Sequence, residues 1–256
     1  MMDDVDTTAR LRRAGQRPRS NDILQMILDA QTGDKDGEHA YGRKVIEDRY
    51  IISNCIILLM AGFDTTSAAL AFTMYLVAKH PEEQARILEE VEARFPGAAE
   101  LSFDQLHQLE RLDAVVKESL RLYPSVPIMV MRQCAQDTTV LGRFIPAGVT
   151  VVAPPWHIHH DPQLWPEPDE FRPDRFLGEG SNQRHIATYF PFGLGQKTCI
   201  GKRVALLSLK TTFMKVLRAY KLDICEQTQQ PMRVAVPNLV LNPEIGVHLR
   251  FTPREA

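Results

Sequence analysis

The stretch Phe192-Gly193-Leu194-Gly195-Gln196-Lys197-Thr198-Cys199-Ile200-Gly201 runs straight into Lys202–Tyr220, which reads as a helix. A cysteine just ahead of a helix sits among free backbone N–H groups and the positive end of the helix dipole. Both favour its thiolate. Glycines on either side let backbone and a flat ligand come close. Such a sulfur is equipped to bind a metal as an anion. A free cysteine is as readily an inert core residue, so the loop alone leaves both readings open.

Working outward, the segment Arg43–Lys79 has no proline and is rich in Ile, Leu, Ala and Met. It predicts one very long helix, apolar on most faces and so suited to burial. A short helix is expected over Asn21–Ala30, and Gln31–Gly42 reads as a loop. Pro81 opens a helix running to Arg94, a helical turn starts at Ser102-Phe103-Asp104, and Leu109–Leu122 forms a further helix. Nine of the 17 prolines then fall between Pro124 and Pro173, a density that no helix interior holds. Short strands are expected there, at Thr138–Leu141, Arg143–Ile145 and Val149–Val152, and a hairpin in the tail Lys221–Thr252. The fold class is mainly α with small β-sheets.

Basic residues number 30 and acidic ones 32, a net charge of −2, which argues against a general nucleic-acid binder. The four cysteines, Cys55, Cys134, Cys199 and Cys225, lie at least 26 positions apart (225 − 199). They form neither a CxxC motif nor a disulfide framework, and they point to a reducing setting. Met1–Thr8 carries three aspartates, unlike a secretory signal. The apolar run Tyr50–Phe63 is broken by Ser53 and Asn54 and is too short to span a membrane. The first 20 residues, with five arginines from Arg10 to Arg19, read as a loose solvated segment ahead of a domain covering 21–256.

Four motifs now agree in order and spacing. The pattern Phe192-x-x-Gly195-x-Lys197-x-Cys199-x-Gly201 resembles the heme-binding loop of the cytochrome P450 family. Ala61-Gly62-Phe63-Asp64-Thr65-Thr66 is similar to its oxygen-activation motif, and Glu118-Ser119-Leu120-Arg121 to its ExxR motif. Phe171-Arg172-Pro173-Asp174-Arg175-Phe176 resembles the segment that supplies the second arginine of a Glu-Arg-Arg triad. The resemblance runs from about Asn21 to Arg250. Its flavour, in Leu141–Gly148 and His159-His160-Asp161-Pro162, is that of the animal drug-metabolising group and thromboxane synthase.

The resemblance implies the C-terminal half of that fold, a long central helix over the cysteine loop. It implies heme b with Cys199 as axial ligand, within a loop of Phe192, Gly195, Lys197 and Gly201. A cysteinate pushes electron density toward bound oxygen and favours O–O cleavage. Cleavage also needs protons, and Asp64 with Thr65 is suited to relay them. An acid beside a hydroxyl is otherwise a poor mid-helix choice. Ala61-Gly62 would leave room for oxygen, with a local opening of the helix there. Arg132 and Lys197 match the two propionate positions. Lys197 stands where the family usually has arginine, which keeps the charge but loses the fork. Glu118, Arg121 and Arg175 are expected to form a buried ion network, scaffold and not catalysis. Met60, Phe63, Val126, Ile128, Met129 and Leu239 are candidates for the substrate pocket. His157, His159 and His160 lack acids or cysteines at zinc-ligand spacing, and His159 is expected to make a structural hydrogen bond near the heme edge.

The implied activity is insertion of one oxygen atom of O2 into an apolar small molecule, a lipid, steroid or xenobiotic. Electrons come from NADPH through NADPH-cytochrome P450 reductase, with cytochrome b5 as a candidate second donor. The implied location is the cytoplasmic face of the endoplasmic reticulum membrane, with no anchor in these residues. Family chains are roughly twice as long. The alternative is therefore a truncated, non-catalytic fragment whose long helix stays partly uncovered and which holds heme weakly. A peroxide isomerase of the thromboxane synthase type is disfavoured by Asp64-Thr65, since isomerisation needs no oxygen activation.

Overall fold

A computed structural model describes residues 2–18, 20, 22–32, 48–98, 100–128, 130–178 and 184–254. The chain divides into two compact units, Met1–Phe63 and Asp64–Ala256, with the boundary inside one helix. The architecture is mainly helical with four small antiparallel strand pairs among the described residues.

In the first unit, α1 (Met2–Arg13) and α2 (Ile23–Thr32) accompany the start of α3 (Asp48–Lys79). The N-terminus is therefore helical from Met2 to Arg13, which corrects the loose segment read from the arginine run. Two interactions that cross between helices explain the difference. Ala9 is buried with Leu28 and Ile51. Arg12 forks onto Asp22 through Nη1 and Nη2 at 2.7 and 2.6 Å. Asp22 also accepts the Gln25 N–H at 2.9 Å, capping the start of α2. Most of the expected 31–42 loop and residues 43–47 of the expected long helix lie outside the described residues.

In the second unit, the rest of α3 packs with α4 (Pro81–Arg94), α5 (Phe103–Gln108), α6 (Glu110–Leu122) and α8 (Lys202–Ala219). Their shared core holds Leu76, Val77, Ile87, Leu112, Val115, Phe213 and Leu217, all nearly inaccessible. Polar groups inside it are paired, as burial demands. Thr73 Oγ1 on α3 meets Ser119 on α6 at 2.9 Å. Gln84 on α4 donates to the carbonyls of Val77 and Leu222 and accepts the Leu222 N–H.

Strand β1 (Val130–Gln133) pairs with β4 (Thr150–Ala153), and β2 (Thr138–Val140) with β3 (Arg143–Ile145). The β2–β3 turn places Leu141 and Gly142 at φ 49° and 76°. This twist suits a tight hairpin, and Leu141 adopts it while wholly exposed. A five-residue helix α7 (Pro155–His159) follows. At the end, β5 (Tyr220–Ile224) pairs with β8 (Leu249–Pro253), and the intervening chain holds the small pair β6 (Val234–Ala235) and β7 (Asn242–Pro243). The expected tail hairpin thus forms, with Lys221 facing Thr252, and its long connection carries the β6–β7 pair.

Helix α3 runs unbroken through Ala61-Gly62, so the expected local opening does not occur. Its residues Tyr50–Lys79 are long and apolar enough to cross a membrane by length and composition, more than the run Tyr50–Phe63 alone implies. The C-terminal part is enclosed in protein, with Phe72, Thr73 and Val77 fully buried. Upstream, Ile57, Leu59, Met60 and Phe63 are exposed by 55–74%.

Candidate functional site

The loop before α8 is shaped by its own backbone. Cys199 N–H donates to the Phe192 carbonyl at 2.8 Å, and Thr198 N–H to that of Gly195 at 3.0 Å. Gly193 and Gly195 have φ of 76° and 71°, a region that side chains rarely adopt. A Cβ on Gly201 would stand 3.8 Å from the Cys199 sulfur, an ordinary contact. Phe192 faces inward against the core, with the Lys202 ammonium 5.9 Å from its ring centre. Gly195, Lys197, Cys199 and Ile200 face outward, Ile200 by 90%. The sulfur is therefore presented on an open, partly apolar surface ahead of α8.

Arg132 comes to this loop from β1. Its Nη2 donates to the Leu194 carbonyl at 2.8 Å and its Nη1 to that of Met131 at 2.7 Å. Two of the five guanidinium N–H groups are used, and the remainder suit an anion. Strand β1 starts at Val130, so Met131 and Arg132 both lie on it. No alternation signal marks Val130–Gln133; the strand forms by pairing with β4.

A second cluster gathers around Ser125. Its hydroxyl donates to the Thr65 carbonyl at 3.2 Å, and its own carbonyl accepts the Leu241 N–H at 2.9 Å. Three segments that carry Asp64-Thr65, Val126 and Ile128, and Leu239 are thereby tied together. Asp64, Ile128 and Leu239 are exposed, while Thr65 and Val126 are half-buried. Met60, Ala61 and Phe63 belong to the first unit and are exposed. Met129 lies outside the described residues.

Glu118, Arg121 and Arg175 meet in one inaccessible network. Arg121 Nε and Nη2 fork onto Glu118 at 2.8 and 3.0 Å, and Arg175 Nε donates to the same carboxylate at 3.2 Å. The Arg172 backbone N–H adds a further donor at 3.0 Å. Arg121 also donates to the carbonyls of His159 and Glu170. Burial lowers the Arg175 pKa, and the adjacent Glu118 opposes that shift. Arg121 and Arg184 both lie over the buried Trp165 ring, 5.3 and 4.6 Å from its centre.

Sequence reasoning missed several members. Arg111 binds Glu83 and Asp174, so α6 grips the turn Pro173–Phe176 at a second point. Lys210 on α8 reaches Asp113 on α6 at 2.5 Å. Burial pushes the Asp113 carboxyl up, but its bonds to Lys117 and Lys210 more than offset this and leave it lowered. Apart from Asp113 with Lys117, four positions apart on α6, none of these pairs has a sequence spacing that marks it, because each joins separate elements. His159 is fully buried; desolvation, with Arg121 and His160 nearby, holds its pKa down at about 3.

The cytochrome P450 family profile matches residues 5–250. The chain is 38% identical over 252 residues to cytochrome P450 3A31 of Mesocricetus auratus, covering 98% of this chain and 49% of that protein. It is 39% identical to cytochrome P450 3A29 of Sus scrofa over 240 residues, 94% of this chain and 46% of the relative. Cytochrome P450 3A2 of Rattus norvegicus is 38% identical over 235 residues, 92% and 46%. The chain spans about half the length of these relatives.

Proposed function

The chain belongs to the cytochrome P450 family, and from that premise we propose that it forms the cysteine-bearing part of a heme-thiolate monooxygenase. The reading is carried by one observation: the Cys199 sulfur is exposed in a glycine-shaped loop at the start of α8. The residues present fit heme on that side. The loop surface is open and apolar at Ile200, a soft sulfur ligand is available, and two cations, Arg132 and Lys197, stand ready for propionates. Bound there, the heme iron would supply oxygen activation.

The chain's own residues have separable tasks. Cys199 binds the iron through its thiolate, and the loop bond from its N–H to Phe192 fixes the sulfur's height above the backbone. Arg132 and Lys197 hold the propionates, Lys197 without the bidentate fork of an arginine. Asp64 and Thr65 would hold and pass protons at their carboxyl and hydroxyl groups, with the Thr65 backbone anchored by Ser125. Val126, Ile128 and Leu239 offer apolar surface to the substrate. Glu118, Arg121 and Arg175 hold the scaffold.

The substrate is an apolar lipid, steroid or xenobiotic. NADPH supplies electrons through NADPH-cytochrome P450 reductase, with cytochrome b5 as second donor, at the cytoplasmic face of the endoplasmic reticulum membrane. The test is turnover of heme-replete protein with reductase, NADPH and isotopically labelled O2 on apolar probes. One labelled oxygen atom in the product is the expected result. An NADPH-independent rearrangement of a peroxide, without label, would contradict it.

A further inference from the structure

His159 lies outside all four sequence motifs, yet it touches both the buried ion network and the cysteine loop. Its carbonyl accepts from Arg121 Nη1 at 2.8 Å. Its ring Nε2 accepts the backbone N–H of Phe190 at 3.1 Å. From Phe190 the loop is built by two further bonds. The Phe190 carbonyl accepts the Gly193 N–H at 2.9 Å, and the Phe192 carbonyl accepts the Cys199 N–H at 2.8 Å. A continuous path therefore leads from Glu118 through Arg121 and His159 to the backbone of Cys199.

The ring is held for this contact. It stacks on Tyr189 at 5.4 Å and 25°, and meets the Phe190 ring edge-on at 5.4 Å. Because Nε2 accepts, the ring proton sits on Nδ1, which is buried and has no hydrogen-bond partner among the described residues. Burying such a donor costs free energy that a phenylalanine would avoid while keeping the stacking. The imidazole is thus justified by its acceptor. Its depressed pKa keeps Nε2 unprotonated and able to accept across the neutral range.

We propose that His159 is a positioning residue that registers the Cys199 loop against the Glu118–Arg121 network. The proposal rests on the reading of Cys199 as the heme ligand only for its consequence at the iron; the register itself is a property of the fold. Two variants separate acceptor from shape. His159→Phe keeps the ring and removes the acceptor, and His159→Gln places a carbonyl oxygen near the Nε2 position.

Amide hydrogen exchange on the full chain provides the readout. In the native protein the Phe190 amide should be protected like those of α6. In His159→Phe, exchange across Phe190–Cys199 should rise about tenfold, as expected for one lost hydrogen bond, while α4 and α8 change less than about twofold. His159→Gln should recover most of the protection. A native Phe190 amide that exchanges like an open loop would overturn the proposal, and needs no variant to fold. Loosening spread evenly over α4, α6 and α8, or equal loosening in both variants, would also overturn it. In heme-loaded protein, His159→Phe should lower the fraction with a thiolate-type ferrous carbon monoxide spectrum, and His159→Gln should restore it. A native protein lacking that spectrum would refute the assignment of Cys199 while leaving the exchange result to decide the register.

Discussion

Asp64 is exposed and Thr65 half-buried, side by side on one helical turn where an acid next to a hydroxyl is a poor choice for helix formation. Thr65 is fastened to Ser125 through its backbone carbonyl, a contact that an alanine at this position would keep. Thr65→Ala should therefore fold normally but lose proton delivery. Product formed per NADPH consumed should fall on the order of tenfold, with hydrogen peroxide released instead; unchanged coupling would remove Thr65 from the relay. Glu118 sits at the other extreme, fully buried and accepting from Arg121, Arg175 and the Arg172 N–H. Removing it strands two buried guanidinium groups, which costs about 3–5 kcal/mol. Glu118→Ala should yield no soluble heme-loaded protein, as judged by heme content after purification. A folded, heme-loaded variant that merely turns over slowly would assign Glu118 to catalysis. Both residues were legible in the sequence because their motifs are local. Arg111 and Asp174 were not, since 63 positions separate them.

At the scale of elements, proline and glycine placement made α4, α6 and α8 readable to within about a residue. The hairpin β2–β3 was readable for the same reason, from the glycine at its turn. Elements that depend on distant partners were harder to read. Helix α1 looked like a solvated arginine run until Arg12 met Asp22, and β1 has no pattern of its own and exists through β4. The short helix α5 is a local case: Ser102 accepts the Gln105 N–H while the Gln105 side chain accepts the Ser102 N–H. With only six residues, this helix depends on its cap more than a long one does. Ser102→Ala should lower stability by about 1 kcal/mol in a denaturant titration, with an unchanged slope. A shift within error would mean that the burial of Leu106 alone holds α5 in place.

On the scale of the whole molecule, the second unit has a large apolar core, whereas Ile128, Ile200, Val204 and Leu239 stay outside it, exposed by 52–90%. Ile200 and Val204 follow Cys199 closely in the chain, and a large apolar disc seated on that sulfur that covered them would gain roughly 25 cal/mol per Å2. The cysteine loop, the long helix and the Glu-Arg-Arg triad were legible together because the four motifs keep a fixed order; a structural hydrogen bond at His159 was expected too, but its partner, the Phe190 N–H, was not, because no residue type announces a backbone N–H. The claim on which the rest depends is that Cys199 alone binds the iron. The direct measurement is the ferrous carbon monoxide spectrum of heme-replete protein after separate alanine substitution of Cys55, Cys134, Cys199 and Cys225. Only Cys199→Ala should abolish the thiolate signature; its survival in that variant, or its loss in one of the other three while heme remains bound, would mean that Cys199 is not the sole ligand.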